Sequence, residues 1–182
     1  MKFFKQIRTF CSSKEERILI LPFDGISEDI STHWHKILKY HFFRYFCVGL
    51  ICAIIKHMPS GWLKNFLLRR TGMKIGKNVF IGQGASLDPQ FPQLITIEDN
   101  AIIGIDSHIM THEITHTHVR LGKVKISQNA LVGAMSIVRS GVQIGKNAVI
   151  GMGAMVVDDV EDNKLVLINK NNQIIKKIKK LI

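Results

Sequence analysis

The residues best suited to chemistry lie in one short stretch, SHIMTHEITHTH, residues 107–118. It holds four of the eight histidines of the chain, namely His108, His112, His116 and His118. Its centre, HEITH, matches the pattern H-E-x-x-H, which on a helix places two histidines on one face to bind zinc, with the glutamate beside the metal-bound water. The stretch therefore points to a zinc site, to a histidine that acts as a general base, or to solvated loop histidines.

The sequence around this stretch repeats every six residues. Aliphatic residues open twelve hexapeptides, at Ile75, Ile81, Leu87, Ile97, Ile103, Ile109, Ile126, Val132, Val138, Ile144, Ile150 and Val156. Four positions later the residue is small or is valine, except at Phe91 and Glu113. Period six fits neither a lone strand nor a helix, whose side chains repeat every 2.0 and 3.6 residues. It predicts a prism with three flat faces of short parallel strands, with the aliphatic residues inside.

Three hexapeptides make one coil, so the repeat predicts four coils. The predicted coils are 75–92, 97–114, 126–143 and 144–161. The residues between the second and third coils, 115–125, must bulge outward as a loop. We expect three units: an N-terminal region with capping helices over residues 1–70, the prism of coils over residues 71–163, and a tail with a short helix over residues 164–182.

The hexapeptides resemble those of the hexapeptide-repeat acyltransferases, whose pattern is [LIV]-G-x-x-[STAV]-x. The stretches that carry the resemblance are TGMKIGKNVFIGQGASLD, GKVKISQNALVGAMSIVRSGVQIGKNAVIGMGAMVVDDV, and a Thr-His pair ahead of the inserted loop. Maltose, galactoside and other sugar O-acetyltransferases belong to this family. The resemblance implies an all-β solenoid, a left-handed parallel β-helix, which assembles as a homotrimer with active sites between subunits.

The family pattern places a catalytic histidine at the end of the second coil, where His112 stands. Moving an acetyl group from a thioester to a hydroxyl needs a base for the hydroxyl proton, and imidazole suits that role. For His108 we expect contact with the acceptor substrate or a structural role. Glu113 is expected to orient His112 or to be exposed to solvent, and it is also a candidate for acceptor contact. We expect His116 and His118 to be solvated in the loop, with acceptor contact as the alternative.

The same resemblance implies acetyl-coenzyme A as the acetyl donor, bound along the third and fourth coils, and no metal. The residues expected to contact it are Gly133, Ala134, Gly151, Met152 and Gly153. The glycines would allow close approach of the donor, or would simply form corners of the coils. The chain departs from the family where Val157-Asp158 replaces the common Thr-Lys pair, so other residues must hold the donor's phosphates; candidates are Lys170, Lys176 and Lys177.

Several alternatives to sugar O-acetylation stay open. A zinc protease would need a helix and a third ligand, yet the next carboxylate after Glu113 is that of Asp158. The γ-class carbonic anhydrases are also left-handed β-helices, and they hold zinc with histidines across a subunit boundary. Here only the pair His108 and His112 could act in that way. The solenoid could also bind a ligand without turnover, or the acceptor could be an amine rather than a hydroxyl.

Charge and composition restrict the partners. The net charge is +11, and residues 30–87 contain no aspartate or glutamate. Such a basic segment attracts anions, but no nucleic-acid-binding motif accompanies it, so we expect no nucleic acid partner. The three cysteines lack metal-ligand spacing and fit a reducing environment, which predicts a cytoplasmic protein.

The segment 35–70 predicts two helices, broken at Pro59-Ser60-Gly61. We expect these helices to cap the open first coil. The alternative is that they dock on a membrane surface through apolar residues ringed by Lys and Arg, which would place the protein at the inner face of the membrane.

Overall fold

The computed structural model of the chain describes residues 2–22, 42–168 and 173–177. Its centre is a solenoid of short parallel strands stacked into three flat faces. The first face contains β2 (Lys74–Ile75), β5 (Ile95–Ile97), β10 (Val124–Ile126) and β13 (Gln143–Ile144). The second face contains β3 (Phe80–Ile81), β6 (Ile102–Ile103), β11 (Leu131–Val132), β14 (Val149–Ile150), β16 (Lys164–Ile168) and β17 (Gln173–Lys177). The third face contains β4 (Ser86–Leu87), β7 (His108–Ile109), β12 (Ile137–Val138) and β15 (Met155–Val156).

The repeat builds this solenoid because every coil buries the same positions. The aliphatic residue that opens each hexapeptide points inward and stacks on its equivalent in the next coil. The corner between the first and second faces is turned by asparagines with φ of 52° to 60°, at Asn78, Asn100, Asn129, Asn147 and Asn163. Asparagine tolerates this left-handed conformation better than most residues. The three parallel sheets fit a left-handed β-helix.

The solenoid continues beyond the last predicted coil. Val160 bridges to Ile144 on the first face, and β16 pairs in parallel with β14 on the second. β17 then turns back and pairs with β16 in antiparallel fashion. The prediction of a short tail helix is wrong for residues 164–168 and 173–177. Val166 occupies the inward position next to Ile150 and is buried, so pairing with an existing sheet favours a strand here. Residues 178–182 of the predicted tail, and Lys170, lie outside the described residues.

Two helices cover the open edge of the first coil. They are α2 (Phe42–Lys56) and α3 (Trp62–Arg70); residues 35–41 of the segment predicted to form helices lie outside the described part. The Nζ of Lys64, which is almost fully buried, donates to the carbonyl oxygen of Gly82 at 2.9 Å, and Asn65 Nδ2 donates to that of Val79 at 2.7 Å. These side chains satisfy backbone groups that a free sheet edge would leave unpaired. Burial lowers the pKa of Lys64.

The segment ahead of these helices supports the inserted loop, a role that the sequence did not reveal. The loop forms a hairpin of β8 (His112–Ile114) and β9 (His118–Gly122), and β1 (Ile18–Pro22) adds a third antiparallel strand along β9. The helix α1 (Lys2–Ser12) packs Phe10 into a second small core with residues of β9. The hairpin is therefore held by β1 along its edge and by α1 against one of its faces. Within the described residues, no helix is both long and apolar enough to cross a membrane.

Candidate active site

His112 lies at the corner where the second coil leaves the third face. Asp88 follows β4, and Thr111 and His112 follow β7; because β4 and β7 are paired neighbours, their ends meet at this corner. The Nδ1 of His112 lies 2.5 Å from Asp88 Oδ2. Thr111 donates to the same oxygen through its backbone N–H at 3.0 Å and its hydroxyl at 2.7 Å. The Asp88 side chain is 1% exposed and that of His112 is 16% exposed.

The surroundings of Asp88 keep its carboxyl group ionised. Burial alone would raise the pKa of Asp88, but hydrogen bonds from His112, from Thr111 and from the backbone N–H of Gln90 outweigh it and lower the pKa below its ordinary value. An ionised carboxylate only accepts hydrogen bonds, so Nδ1 of His112 must carry a proton in this contact. The ring of Phe91 meets the imidazole edge to face, with the centroids 5.9 Å apart, and limits its rotation. Asp88 and Phe91 thus fix both the tautomer and the orientation of His112.

Glu113 takes part in a different cluster at the same corner. Its carboxylate accepts hydrogen bonds from Arg139 Nε at 3.0 Å, from Arg120 at 3.0 Å and from the Ser140 hydroxyl. Burial opposes ionisation of Glu113, but these partners outweigh it and lower its pKa. Its side chain is 29% exposed. The carboxylate that holds Nδ1 of His112 belongs to Asp88 rather than to Glu113.

The other histidines of the stretch lie in separate surroundings. His108 is on the outer surface of the third face, in one column with Ile137 and Met155. His116 is exposed in the turn of the hairpin, and His118 contacts the hydroxyls of Thr115 and Thr117 through Nδ1. The HEITH residues therefore occupy a strand and its turn rather than a helix, so the zinc-protease arrangement does not form. Among the described residues, no three His, Cys, Asp or Glu side chains are grouped as a metal site.

The residues expected to contact the donor form the turns between the second and third faces. A Cβ on Gly133 would lie 2.6 Å from the backbone N of Met152 in the coil above, so stacking of the coils already requires a glycine there. Gly153 has a φ of 69°, which the turn requires. Ala134 is partly exposed, and the side chain of Met152 is 66% exposed. Gly151 also belongs to this corner, where a Cβ would approach Leu167.

Asp88 is a residue of the candidate site that the sequence did not reveal. It stands directly after the aliphatic residue of its hexapeptide, where the repeat usually has glycine or an acid, and so it reads as an ordinary repeat position. The equivalent third-face positions in later coils hold Met110, Arg139 and Val157. Of these four equivalent positions, only position 88 holds an acid, and it lies one coil before His112. That combination is the signal that could have found Asp88.

Comparison with known proteins decides the family. The chain is 30% identical over 134 residues to the inferred acetyltransferase YvoF of Bacillus subtilis (strain 168), and the alignment covers 73% of this chain and 78% of that protein. Residues 123–158 match the family model described as bacterial transferase hexapeptide (six repeats). The chain belongs to the hexapeptide-repeat acyltransferases. The repeat that predicted the solenoid is thus also the signature of the family, as the resemblance implied.

Solved structures of hexapeptide-repeat acyltransferases share the fold. VCA0836 of Vibrio cholerae, a hexapeptide-repeat containing acetyltransferase, matches with a TM-score of 0.63 at 16% identity, over 80% of this chain and 99% of that chain. A galactoside acetyltransferase in complex with coenzyme A matches with a TM-score of 0.62 at 15% identity, over 98% of this chain and 92% of that chain. VCA0836 has also been solved with acetyl-coenzyme A. At these identities the likeness concerns the fold.

Proposed function

We propose that the protein transfers an acetyl group from acetyl-coenzyme A to a hydroxyl of a sugar or glycan, with His112 as the general base. The observation that carries this proposal is the contact of His112 Nδ1 with the buried, ionised carboxylate of Asp88. A solvated loop histidine, or a scaffold that only binds a ligand, would not need a buried carboxylate behind the imidazole.

The proposed proton transfers use the two ring nitrogens of His112 for different tasks. Nδ1–H donates to Asp88, so Nε2 is the nitrogen that accepts the proton of the acceptor hydroxyl as its oxygen attacks the thioester carbonyl. The imidazolium formed in this step is stabilised by the negative charge of Asp88. As the carbon–sulfur bond breaks, Nε2 returns the proton to the departing thiolate. The acetyl group passes directly to the acceptor, so no nucleophilic serine or cysteine is required.

The donor and the subunit contacts are assigned to one apolar strip. Ile105, Met135 and Met152 are more than half exposed at successive turns between the second and third faces, next to the outward Ile137 and Met155 of the third face. Such a strip on a soluble protein marks a surface that a ligand or another subunit covers. We assign it to acetyl-coenzyme A and to a neighbouring subunit of a homotrimer. The donor is supported by the complexes of the two related structures with acetyl-coenzyme A and coenzyme A.

The acceptor class is supported by the galactoside acetyltransferase, whose name gives its substrate as a sugar. His108, on the third face, is assigned to acceptor contact because it projects beside the apolar strip. His116, exposed at the tip of the hairpin, is assigned to the rim of the same site.

A screen of sugars and glycans tests the function directly. The metal-stripped protein is incubated with acetyl-coenzyme A and each acceptor, free thiol is followed by absorbance, and the product is weighed by mass spectrometry. We expect thiol release that depends on the acceptor, with one acetyl group added to a hydroxyl. Activity that is lost on chelation and restored by zinc would favour the carbonic-anhydrase-like alternative. A lack of thiol release with every acceptor would favour the alternative that the solenoid binds a ligand without turnover. Light scattering that shows a stable monomer would contradict the intersubunit site.

A further inference from the structure

Helices α2 and α3 expose several large apolar side chains. We call this set the helical face; its members are Phe43, Phe46, Leu50, Ile54, Trp62 and Phe66. Phe43 is 80% exposed and Trp62 is 78% exposed, far more than interior side chains of the solenoid. Along α2 the exposed positions recur three or four residues apart, so they lie on one side of the helix.

This exposure is not needed for packing α2 onto the solenoid. The opposite side of α2 packs Val48 and Ile55 against the body of the protein and brings Cys52 into contact with the core. Burial on this side of the helix, with a smaller contribution from the negative charge of Asp88, raises the pKa of the Cys52 thiol to about 11. The helix is therefore apolar on two sides, whereas a surface helix that needs only one covered side is polar on the other. An exposed apolar surface of this kind marks a site of interaction.

The charges beside the helical face specify what can cover it. Arg70, Lys74 and Lys77 are exposed at the end of α3 and on the first coil, and Arg44 is exposed in α2. Residues 30–87 hold no acidic residue, although Glu98 and Asp99 of the second coil lie beside Lys74 and Lys77. If two copies met through the same face, these charges would oppose like charges. Apolar side chains flanked by Arg and Lys instead match the interface of an anionic lipid bilayer.

We propose that the helical face docks the protein on the surface of an anionic membrane. The 15 residues of α2 are too few to span the hydrocarbon core, which takes about 20 apolar residues, so the helix lies in the plane of the interface. The phenylalanine and tryptophan side chains enter the acyl boundary, and the neighbouring Arg and Lys contact lipid phosphates. Docking would place the protein at the membrane surface. This proposal does not depend on which acceptor the protein acetylates.

Vesicle co-sedimentation of the full chain tests this proposal. Vesicles of phosphatidylglycerol and phosphatidylcholine should retain the protein at low salt and release it as salt rises, while pure phosphatidylcholine should retain much less. The variant Phe46→Ser/Ile54→Ser should bind the anionic vesicles about tenfold more weakly or worse, because two apolar side chains that would enter the bilayer are lost. The matched control is Ile20→Ser on β1, whose side chain is exposed to nearly the same degree as Ile54, 56% against 61%. It should bind like the unmodified protein.

A fluorescence measurement separates docking from indirect effects on folding. The chain has two tryptophans, so Trp34→Phe leaves Trp62 as the reporter on the helical face. Its emission should shift to shorter wavelength with anionic vesicles and be quenched by brominated acyl chains. Equal retention by neutral and anionic vesicles, no retention, or equal loss in Ile20→Ser would overturn the proposal. So would a change of molecular mass in Phe46→Ser/Ile54→Ser without vesicles, since it would make the face a contact between copies.

Discussion

Asp88 and Glu113 lie at the same corner of the solenoid, yet their surroundings differ in one decisive respect. Glu113 faces two guanidinium groups, those of Arg120 and Arg139, so its charge is matched by permanent positive charges. Asp88 is more deeply buried, and the partners that lower its pKa are uncharged apart from His112. A carboxylate held between two guanidinium groups is suited to fixing structure. A carboxylate whose one titratable partner is an imidazole stabilises the protonated form of that imidazole.

The comparison assigns separate work to the two acids. Asp88 should act on the reaction through His112, while Glu113 should hold the hairpin of β8 and β9 to the third coil. Each of the following substitutions separates these roles, from the largest expected effect to the smallest.

His112→Ala removes the proposed base and should slow acetyl transfer by roughly 10²–10⁴-fold. Binding of the donor and the assembly state should stay the same, because the side chain is at the corner rather than in the solenoid core. Turnover with a fixed acceptor, together with calorimetric titration of coenzyme A, measures both. His57→Ala, which replaces an exposed histidine just beyond the end of α2, is the control and should stay within about twofold of the unmodified protein. Full activity in His112→Ala would show that His112 is not the general base.

Asp88→Asn keeps the shape of the side chain and removes its charge. An amide can accept the Nδ1 hydrogen bond or donate to an unprotonated Nδ1, so the tautomer is no longer fixed, and the imidazolium loses its counter-charge. We expect a fall in kcat of about 10- to 100-fold with little change in KM, by analogy with the loss of other orienting partners of histidine. The kcat–pH profile should also change. A loss confined to thermal stability, with an unchanged kcat profile, would make Asp88 structural.

Glu113→Gln should lower the stability of the protein more than the rate of acetyl transfer. The charge-assisted hydrogen bonds to Arg120 and Arg139 would weaken, and the free energy of unfolding should fall by about 1–2 kcal/mol. The rate of transfer should change by less than about threefold, since the dyad of Asp88 and His112 stays intact. Urea unfolding and turnover, measured on the same preparation, give the two quantities. A rate loss as large as that of Asp88→Asn would show that both acids serve the reaction.

Low pH provides a smaller test of the same contrast. The pKa values of Asp88 and Glu113 lie below their ordinary values of 3.8 and 4.5 in the folded protein. Both carboxylates therefore stabilise the fold above those ordinary values, and that contribution is lost as the pH falls through the lowered values. Urea midpoints from pH 7 to pH 2.5 should fall in the acid range, and less steeply in Glu113→Gln. Parallel curves for that variant and the unmodified protein would contradict the shift.

The sequence predicts the solenoid well, because each coil repeats the same local geometry. The position of His112 also followed from the sequence, through the resemblance and its place at the end of the second coil. Asp88 did not, since its role depends on the stacking of β4 on β7, and Leu87-Asp88 looks like other repeat positions such as Ile97-Glu98. The tail was misread because a short apolar run suits a helix or a strand equally until a sheet edge is available.

The antiparallel pairing of β1 with β9 joins Ile18 to Gly122, residues that are far apart in the chain. During synthesis, β1 leaves the ribosome long before its partner strand exists, and the first two coils, which lie between the two strands in sequence, cannot substitute for it. Contacts of such separation form slowly, because the chain must first lose the entropy of a long closed loop. The hairpin that begins at His112 should therefore reach its final support late in folding. Deleting residues 1–22 should leave the folding rate of the solenoid unchanged. The hairpin should then open locally, and this opening would be seen as fast amide hydrogen exchange in β8 and β9.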